Sequence, residues 1–383
     1  MTSNNNSTKI QKSQDQGNKE LKVAIVHDFL LYPGGAEKVL GDICELYPDA
    51  HIFTLLYDKS VMGEFFDSEK VCTSFLQRWP KVFRKNHKWL LPFFGTAIES
   101  FDLRDFDLVI SSSGAWSKGI VTRLNTKHVA YVHSPMRYVW DENEYYAKRR
   151  MGKKNNFCVR ALLSYLRVWD NQAAQRPDVL VANSIYTQKR IEKYYRRDAQ
   201  VVYPAVELDV ESVVKRDKFV IISRLSEYKN VALAIEACNK LQLPLTVIGQ
   251  GREEKVLKKM AGDTIDMVGW VSEEQKKKYL ASARAFIFPS EDDFGITCVE
   301  ALRAGVPVIG LGKGGAKEII HSGKNGELFE APTVEMLADA LRRFIEKENQ
   351  YNRAEIIESA NKYSKENFKK GIINAVNKVF ENE

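Results

Sequence analysis

Two carboxylates in the last third of the chain, Asp292 and Glu300, have seven residues between them. The apolar run from Ala285 to Phe288 predicts a buried strand, and residues 295–304 predict a helix. The acidic residues therefore flank a strand-to-helix turn. The N–H groups and dipole of such a helix start favour a phosphate, and Glu300 shares a helix face with Ile296. The pattern predicts a site where a carboxylate binds hydroxyls beside a phosphate.

Two cations follow another predicted strand about 70 residues earlier. The run from Lys218 to Ser223 predicts a buried strand, and Arg224 and Lys229 fall in the loop before a helix that begins near Asn230. When a bond to a nucleoside diphosphate breaks, fixed cations stabilise the charge that develops on the leaving phosphate. Arginine suits a bidentate contact and lysine a point charge. The pair predicts a diphosphate site, although alone it would be typical of a protein surface.

The two patterns together resemble the retaining glycosyltransferases of family 4, whose signature is two acidic residues with seven residues between them, then a helix and a Gly-x-Pro-Val turn. The resemblance implies that Arg224 and Lys229 hold the donor diphosphate and that Glu300 binds ribose hydroxyls. It also implies that an acidic residue contacts the transferred sugar. The usual first acidic residue is Glu, so Asp292 is one methylene shorter, and the neighbouring Glu291 leaves open which carboxylate reaches the sugar.

The same resemblance implies further donor contacts. Gly269-Trp270-Val271 follows a short apolar run and corresponds to the segment where backbone groups meet the nucleotide base, although Trp270 fits ordinary core packing equally well. A Gly249-x-Gly251 turn lacks the third glycine of a dinucleotide fingerprint and does not follow the first strand, so a nicotinamide oxidoreductase is disfavoured. The remaining predicted contacts surround the helix start and are Phe294, Gly295, Ile296 and Thr297.

Paired glycines follow the first predicted strand of the chain. The run from Leu21 to His27 predicts a strand, and Gly34 and Gly35 precede an apolar-periodic helix that extends to about Leu46. Glycines at a helix start expose N–H groups without a side chain in the way, which suits a phosphate or a sugar oxygen. The alternative is an ordinary tight turn. In the family resembled, a Gly-Gly-Ala-Glu loop faces the donor, which implies that role for Gly34 and Gly35.

His133 stands directly after a predicted strand, His128 to Val132. Open α/β sheets bind ligands at the carboxyl ends of their strands, so His133 is a candidate contact for the sugar or the acceptor, whereas His27 and His128 are expected to be structural. The run from His133 to Asp141 resembles a segment of bacterial mannosyltransferases that build surface polysaccharides. That resemblance implies transfer of mannose from GDP-mannose. A UDP-sugar donor and a non-catalytic sugar-nucleotide-binding protein remain the alternatives.

Both halves of the chain alternate short buried strands with helices, which predicts an α/β fold with doubly wound parallel sheets. The resemblance implies GT-B architecture, two Rossmann-like domains facing across a cleft. Apolar residues at helical spacing after Tyr363 predict a terminal helix with one buried face. The predicted organisation is a disordered polar tail (1–20), an N-terminal acceptor-side domain (21–205), a C-terminal nucleotide-sugar-binding domain (206–362) and a helix that crosses back to the first domain (363–383).

Composition agrees with an intracellular enzyme. The 383 residues are 44% hydrophobic and carry a net charge of +7, and the five scattered cysteines lack metal-type spacing, so we expect reduced thiols and no zinc site. The family resemblance implies a reaction that needs no metal or cofactor. No apolar run is long enough to span a membrane, and the polar first 20 residues do not resemble a secretory signal, which predicts a cytoplasmic protein. Nucleic-acid binding is disfavoured because no recognition module is present.

Cations alternate with large apolar rings from Phe75 to Phe94, and a second basic run extends from Lys148 to Lys154. Such a mixture can lie on an anionic lipid surface, where each cation contributes about 1 kcal/mol. The alternative is a set of amphipathic helices that cover the sheet. We therefore expect a nucleotide-sugar donor and a glycan or polyprenyl-linked glycolipid acceptor, with peripheral contact to the inner face of the cytoplasmic membrane as a further hypothesis.

Overall fold

The computed structural model describes residues 21–85, 87–141, 157–210 and 217–381. The predicted polar tail, the basic run 148–154 and residues 211–216 lie outside these residues. The chain divides into two compact units, each described here by itself. Of the described residues, the first unit contains those up to Val181, Ile191–Gln200 and those from Lys369 onward, and the second contains Ala182–Arg190 and Val201–Phe368. The domain boundaries given above stay predictions.

The first unit is built on a seven-stranded sheet in the order β3-β2-β1-β4-β5-β6-β7, and its strands β1 to β5 run parallel. The middle strands are buried along their whole length, as expected for a parallel sheet with both faces covered. The strands are β1 (Val23–His27), β2 (His51–Thr54), β3 (Val71–Thr73), β4 (Leu108–Ser113), β5 (Lys127–Val132), β6 (Val179–Ala182) and β7 (Gln200–Val201).

Strand β4 extends beyond the short apolar run at its start, residues 108–110. It continues through three buried serines to Ser113, because these serines pair in register with Ala130 to Val132 of β5. The helices in this part of the chain are α1 (Gly35–Leu46), α2 (Lys59–Met62), α3 (Lys81–Lys85), α4 (Phe94–Glu99), α5 (Phe157–Ala173) and α6 (Ile185–Tyr195), with 3₁₀ turns at Phe75–Arg78, His87–Phe93 and Ser117–Gly119.

The second unit is built on a six-stranded, wholly parallel sheet in the order β10-β9-β8-β11-β12-β13. Strand β11 begins two residues earlier than predicted, because Ala283 pairs with Lys218 across an irregularity at Arg284 that interrupts the apolar pattern. The strands are β8 (Lys218–Ile222), β9 (Leu245–Ile248), β10 (Ile265–Gly269), β11 (Ala283–Phe288), β12 (Val308–Leu311) and β13 (Gly326–Phe329).

The remaining helices connect these strands and close the chain. The terminal helix forms as predicted, and Phe368, Ile372, Ala375 and Val379 are buried along one face. The helices are α7 (Val231–Leu241), α8 (Glu254–Met260), α9 (Glu273–Ala281), α10 (Ile296–Arg303), α11 (Ala316–Ile319), α12 (Val334–Lys347), α13 (Arg353–Ser359) and α14 (Lys365–Glu381), with 3₁₀ turns at Glu227–Lys229, Glu348–Gln350 and Asn361–Tyr363.

Alternate residues along the second sheet enter different cores. Phe286 and Phe288 pack on one face with Leu302 of α10, whereas Ile287 packs on the other with Phe344 of α12. A strand buried on both faces needs helices on both sides, which is why its sequence is continuously apolar. The two parallel sheets with covering helices confirm the predicted fold class, a pair of Rossmann-like α/β units.

Candidate active site

The candidate donor residues of the second unit lie at one edge of its sheet. Chain order reverses between β8 and β11, and open α/β sheets bind ligands outside the carboxyl ends of the strands at such a reversal. Arg224 follows the end of β8 by two residues, and Asp292 follows the end of β11 by four. The sequence motifs for diphosphate and sugar therefore converge at the place where this fold binds ligands.

Lys229 and Asp292 form an ion pair across this edge. The Lys229 ammonium donates to Asp292 Oδ2, and the two side chains are only 17% and 19% exposed. Partial burial lowers the local dielectric constant and makes such a pair stronger than one on the open surface. The Asp292 carboxylate therefore fixes the position of Lys229, one of the two cations predicted to bind the diphosphate.

The two acidic neighbours of Asp292 have different partners in the same unit. Tyr186 donates its hydroxyl to Glu291 Oε1 at 2.8 Å, and Arg190 forms a nearly buried ion pair with Asp293. Ser184 also donates to the backbone oxygen of Asp293 at 2.6 Å. Of the two carboxylates between which the sequence could not choose, Asp292 contacts the predicted diphosphate lysine and Glu291 contacts a tyrosine.

The acidic loop is also held through its backbone. Gly315 donates its N–H to the oxygen of Asp292 at 2.9 Å, and a Cβ added at Gly314 would clash with that same oxygen. The Phe294 ring is buried, with ring centroids 5.9 Å from Tyr203 and 5.5 Å from Tyr363. Phe294 thus anchors the loop in the core, and any contact with a donor is restricted to its backbone.

Helix α10 starts at this loop. Gly295 has a φ of +108°, a left-handed conformation that favours glycine, and no side chain among the described residues caps the helix there. Ile296 and Thr297 follow as the first helical residues and are half-buried. The first N–H groups of the helix are consequently placed at the carboxyl edge of the sheet, where they would favour an anion.

The glycines at the end of β9 serve the cationic loop. A Cβ at Gly249 would clash with the oxygen of Ser223, and one at Gly251 with the oxygen of Leu225. Leu225 donates its N–H to the oxygen of Gln250 at 2.9 Å. The Gly-x-Gly turn is therefore required for the close approach of the loop that carries the exposed Arg224, not for dinucleotide binding.

The segment predicted to meet the base follows β10. Gly269 has a φ of +83°, Val271 packs partly against the core, and the Trp270 side chain is 72% exposed. The exposure of Trp270 argues against ordinary core packing, one of the two interpretations left open by the sequence. A separate cavity of about 600 Å³ lies against residues such as Lys218, Thr246 and Tyr279, and its lining includes none of the predicted donor residues.

Glu300 is buried, and its partner was not foreseen. Its Oε1 lies 2.9 Å from Nζ of Lys276 on α9, and the two side chains are only 5% and 9% exposed. The Lys276 ammonium also lies 2.7 Å from Glu273. A sequence signal existed, because Lys276 stands four residues before the buried Leu280 and thus on the apolar side of the helix.

The first unit places His133 in a hydrogen-bonded chain at the carboxyl edge of its own sheet. Ser112 Oγ lies 2.8 Å from His133 Nε2 and 3.1 Å from His27 Nδ1. His27 Nε2 in turn lies 3.5 Å from Glu37 on α1. His133 is therefore oriented by a hydroxyl, and its ring is half-buried.

His128 has a structural role, as expected. It is fully buried and its Nε2 lies 2.8 Å from Ser111 Oγ. Burial, assisted by the positive charges of Arg197 and Arg176, lowers the pKa of His128 to about 3. The ring is therefore neutral at physiological pH and takes no part in the candidate chemistry.

Asp28 organises the loop after β4 and was missed by sequence reasoning. Its two carboxylate oxygens accept four backbone N–H groups, from residues 114–117, at 2.6 to 3.1 Å. The available signal for Asp28 was its position one residue after a strand, where carboxylates often bind the backbone of a loop.

The paired glycines of the first unit lie at the start of α1. Gly34, in an extended conformation, occupies the N-cap position, and Gly35 is the first helical residue.

Two family models match successive parts of the chain. The model described as Glycosyltransferase Family 4 matches residues 33–210, and the model described as Glycosyl transferases group 1 matches residues 208–363. Together the two matches cover most of the described structure.

The human alpha-1,3/1,6-mannosyltransferase ALG2 is 27% identical over 50% of this chain and 56% of its own length. A GDP-mannose-dependent alpha-mannosyltransferase of Corynebacterium glutamicum is 32% identical over 28% of this chain and 26% of its own. The chain spans about a third to just over half of the length of the curated relatives it matches first.

The solved structure of Anabaena HepE in complex with UDP and glucose is similar in fold. It is 18% identical, with a TM-score of 0.68 over 94% of this chain and 100% of its own. The resemblance inferred from the acidic and basic motifs is thus confirmed, and the chain belongs to the family 4 glycosyltransferases with the GT-B fold.

Proposed function

We propose that this protein is a retaining glycosyltransferase that transfers mannose from GDP-mannose to a hydroxyl of a glycan or glycolipid in polysaccharide synthesis. The observation that carries the proposal is the Lys229–Asp292 pair beside Arg224 at the carboxyl edge of the second sheet. The activities of the human and Corynebacterium relatives support mannose as the sugar, and the activity of the Corynebacterium enzyme supports GDP-mannose as the donor.

Arg224 and Lys229 would hold the donor diphosphate. Breaking the bond from the sugar to the diphosphate leaves negative charge on a phosphate oxygen, and cations fixed beforehand stabilise that charge without reorganisation. Asp292 orients the lysine, and the N–H groups at Gly295 and Ile296 add a second positive pole. The proposed reaction takes its electrostatic stabilisation from these groups and requires neither a metal nor a cofactor.

The other predicted residues would position the donor and the sugar. Glu300 would accept hydrogen bonds from ribose hydroxyls, Asp292 would contact the sugar ring, and His133 would bond a sugar hydroxyl near the reacting carbon. Retention would follow if the acceptor attacks from the face that the diphosphate leaves, with the departing phosphate oxygen taking the acceptor proton. No protein nucleophile is needed for that sequence of steps.

A donor screen tests this proposal directly. The protein is incubated with GDP-mannose, GDP-glucose, UDP-glucose and UDP-galactose, and slow hydrolysis and transfer to oligosaccharide acceptors are measured. We expect GDP-mannose to be consumed fastest and the new linkage to keep the α configuration by NMR. A UDP-sugar preference would overturn the donor, a β linkage would overturn retention, and binding without turnover would indicate a sugar-nucleotide-binding protein.

Peripheral membrane contact is a further part of the proposal. Trp79, Phe83, Trp89 and Phe93 form a cluster with ring centroids 5.2 to 6.0 Å apart in the first unit. Trp89 is 64% exposed, and exposed Arg78 and Lys81 flank the cluster. Rings and cations together favour an anionic lipid surface, which would bring the enzyme to a polyprenyl-linked acceptor. Among the described residues, no helix has the length and apolarity needed to cross a membrane.

Sedimentation with lipid vesicles tests the membrane contact. Wild type should partition onto vesicles that contain phosphatidylglycerol and not onto pure phosphatidylcholine, and Trp89→Ser should lower partitioning about tenfold. Leu124→Ser is the matched control, because Leu124 is almost fully exposed elsewhere in the same unit. Equal partitioning of wild type and Trp89→Ser would remove the membrane hypothesis without affecting the proposed reaction.

A further inference from the structure

The buried Lys276–Glu300 ion pair connects two parts of the proposed donor site. Lys276 lies in the first turns of α9, six residues after the exposed Trp270 of the predicted base segment. Glu300 lies on α10, which starts at the acidic loop. A carboxylate that is 5% exposed is expensive to bury unless a cation compensates it, and Lys276 Nζ at 2.9 Å provides that cation.

The ammonium of Lys276 is itself fixed on both sides. Glu273 lies 2.7 Å from it, one helical turn earlier. The start of α9 is held by a capping box in which Ser272 accepts from the Gln275 N–H and Gln275 accepts from the Ser272 N–H. Lys276 donates its own N–H to the oxygen of Ser272 at 2.8 Å. The position of the lysine is therefore tied to the segment that immediately follows Trp270.

We propose that Lys276 is a positioning residue that orients the Glu300 carboxylate for the ribose hydroxyls of the donor nucleotide. This inference rests on the proposed function, since it assigns the ribose contact to Glu300. Lys276 holds Oε1 of Glu300, which fixes the plane of the carboxylate and directs its remaining lone pairs. The same lysine is anchored to the segment predicted to meet the base, so the distance between the Glu300 carboxylate and that segment is fixed. The Lys276–Glu300 pair therefore sets the selectivity for ribose over deoxyribose.

The experiment compares nucleotide affinities by isothermal titration calorimetry. The probes are GDP and UDP with their 2′-deoxy forms, and the quantity is the ratio of the deoxy to the ribo dissociation constant. We expect a ratio of about ten in the wild type, since hydrogen bonds to charged groups are the stronger ones. Lys276→Met should bring this ratio close to one, because it weakens the binding of the ribonucleotides. Lys276→Arg keeps the cation and should retain most of the wild-type ratio.

Lys277→Met is the matched control, because Lys277 pairs with Glu274 on the exposed side of the same helix at 2.9 Å. Its ratio should equal that of the wild type. In a Glu300→Gln background, Lys276→Met should change the ratio no further. If Lys276→Met does not fold by circular dichroism, Lys276→Gln replaces it.

Different results overturn the inference and the proposed function. A folded Lys276→Met or Lys276→Gln protein that keeps the wild-type ratio overturns the positioning role, and so does a wild type that binds both forms equally. A wild type that binds neither GDP nor UDP overturns the proposed function itself. A fall in both affinities by the same factor would show a general structural role and would also overturn the inference.

Discussion

The second unit presents lysine–carboxylate pairs at the carboxyl edge of its sheet. At the corresponding edge, the first unit presents a hydroxyl between two imidazole rings, one of which lies against Glu37, and a loop of backbone amides. Lys229 with Asp292 and Lys276 with Glu300 exemplify the former, and Ser112 between His27 and His133 exemplifies the latter. One fold thus carries two chemistries on the same edge, as expected when function depends on site residues and not on the scaffold.

The difference suggests a division of labour. Paired charges suit a diphosphate, whose leaving oxygens need fixed cations, and imidazole and hydroxyl groups suit hydrogen bonds with sugar hydroxyls. At the edge of the first unit, the Asp28 carboxylate accepts several backbone N–H groups and thereby shapes a loop. The following predictions test this contrast, from the largest expected effect to the smallest.

Removing the lysine of the second unit should have the largest effect. Lys229→Ala is expected to lower kcat/KM at least about 10³-fold, roughly 4 kcal/mol of transition-state stabilisation, because the leaving diphosphate loses a fixed cation. Lys218→Ala is the control, since Lys218 also pairs with an aspartate, Asp266, but on the exposed surface of the same unit. Turnover of Lys229→Ala within about tenfold of wild type, with an intact fold, would contradict the charge role.

The second contrast concerns the backbone that supports the charged loop. Gly314→Ala should lower the free energy of unfolding by about 3 kcal/mol, since its left-handed φ of +62° and the adjacent Asp292 oxygen both oppose a Cβ. Gly323→Ala has a φ of +78° but open space, and should cost only about 1 kcal/mol. Urea unfolding of both variants gives the comparison. Equal losses of the free energy of unfolding in the two variants would mean that the acidic loop moves to accommodate the Cβ and that Gly314 does not hold its position.

The hydrogen-bonding edge of the first unit should be less sensitive to substitution. His133→Ala is expected to lower kcat/KM about 30-fold, the cost of one or two hydrogen bonds to a sugar hydroxyl. His51→Ala, at the exposed start of β2, should leave the rate unchanged. A loss at His133 as large as that at Lys229 would break the proposed division between charge stabilisation and sugar positioning.

The smallest expected effect is on stability against pH. The pKa of buried His128 is lowered to about 3, so the unfolded chain takes up a proton near pH 6.5 while the folded protein does not. The contribution of the neutral His128 ring to the free energy of unfolding is complete above about pH 6.5. It is lost progressively as the pH falls towards 3. Between pH 7 and 5.5 the loss should be about 1 kcal/mol, and His128→Gln should lack it. Identical pH dependence in urea unfolding of both proteins would refute a neutral buried ring.

Features set by local sequence were predictable. Apolar runs gave the strands around Ile221 and Ile287, and glycines marked the start of α1 and of α10, because periodicity and backbone freedom act within a few residues. Lys229 and Asp292 were assigned to one site because the basic and acidic motifs together resemble the family 4 signature. The structure agrees, since both follow strands whose carboxyl ends meet at the reversal of strand order.

Contacts set by packing between distant segments were not predictable. Lys276 and Glu300 are 24 residues apart, and Arg190 and Asp293 are 103 apart, so no local pattern identifies them as pairs. The burial of Phe294 and the exposure of Trp270 likewise depend on neighbours from other elements. The continuation of β4 through its serines depended on pairing with β5, which outweighs the weak strand preference of serine.

The central claim is that the cations of the second unit hold the diphosphate, and the most direct measurement is the preference for a second phosphate. Isothermal titration calorimetry of GDP and GMP against wild type and Lys229→Ala gives that preference for each protein. We predict that wild type binds GDP at least about tenfold more tightly than GMP and that Lys229→Ala loses this difference while GMP affinity changes little. An undiminished preference for GDP in Lys229→Ala would contradict the account.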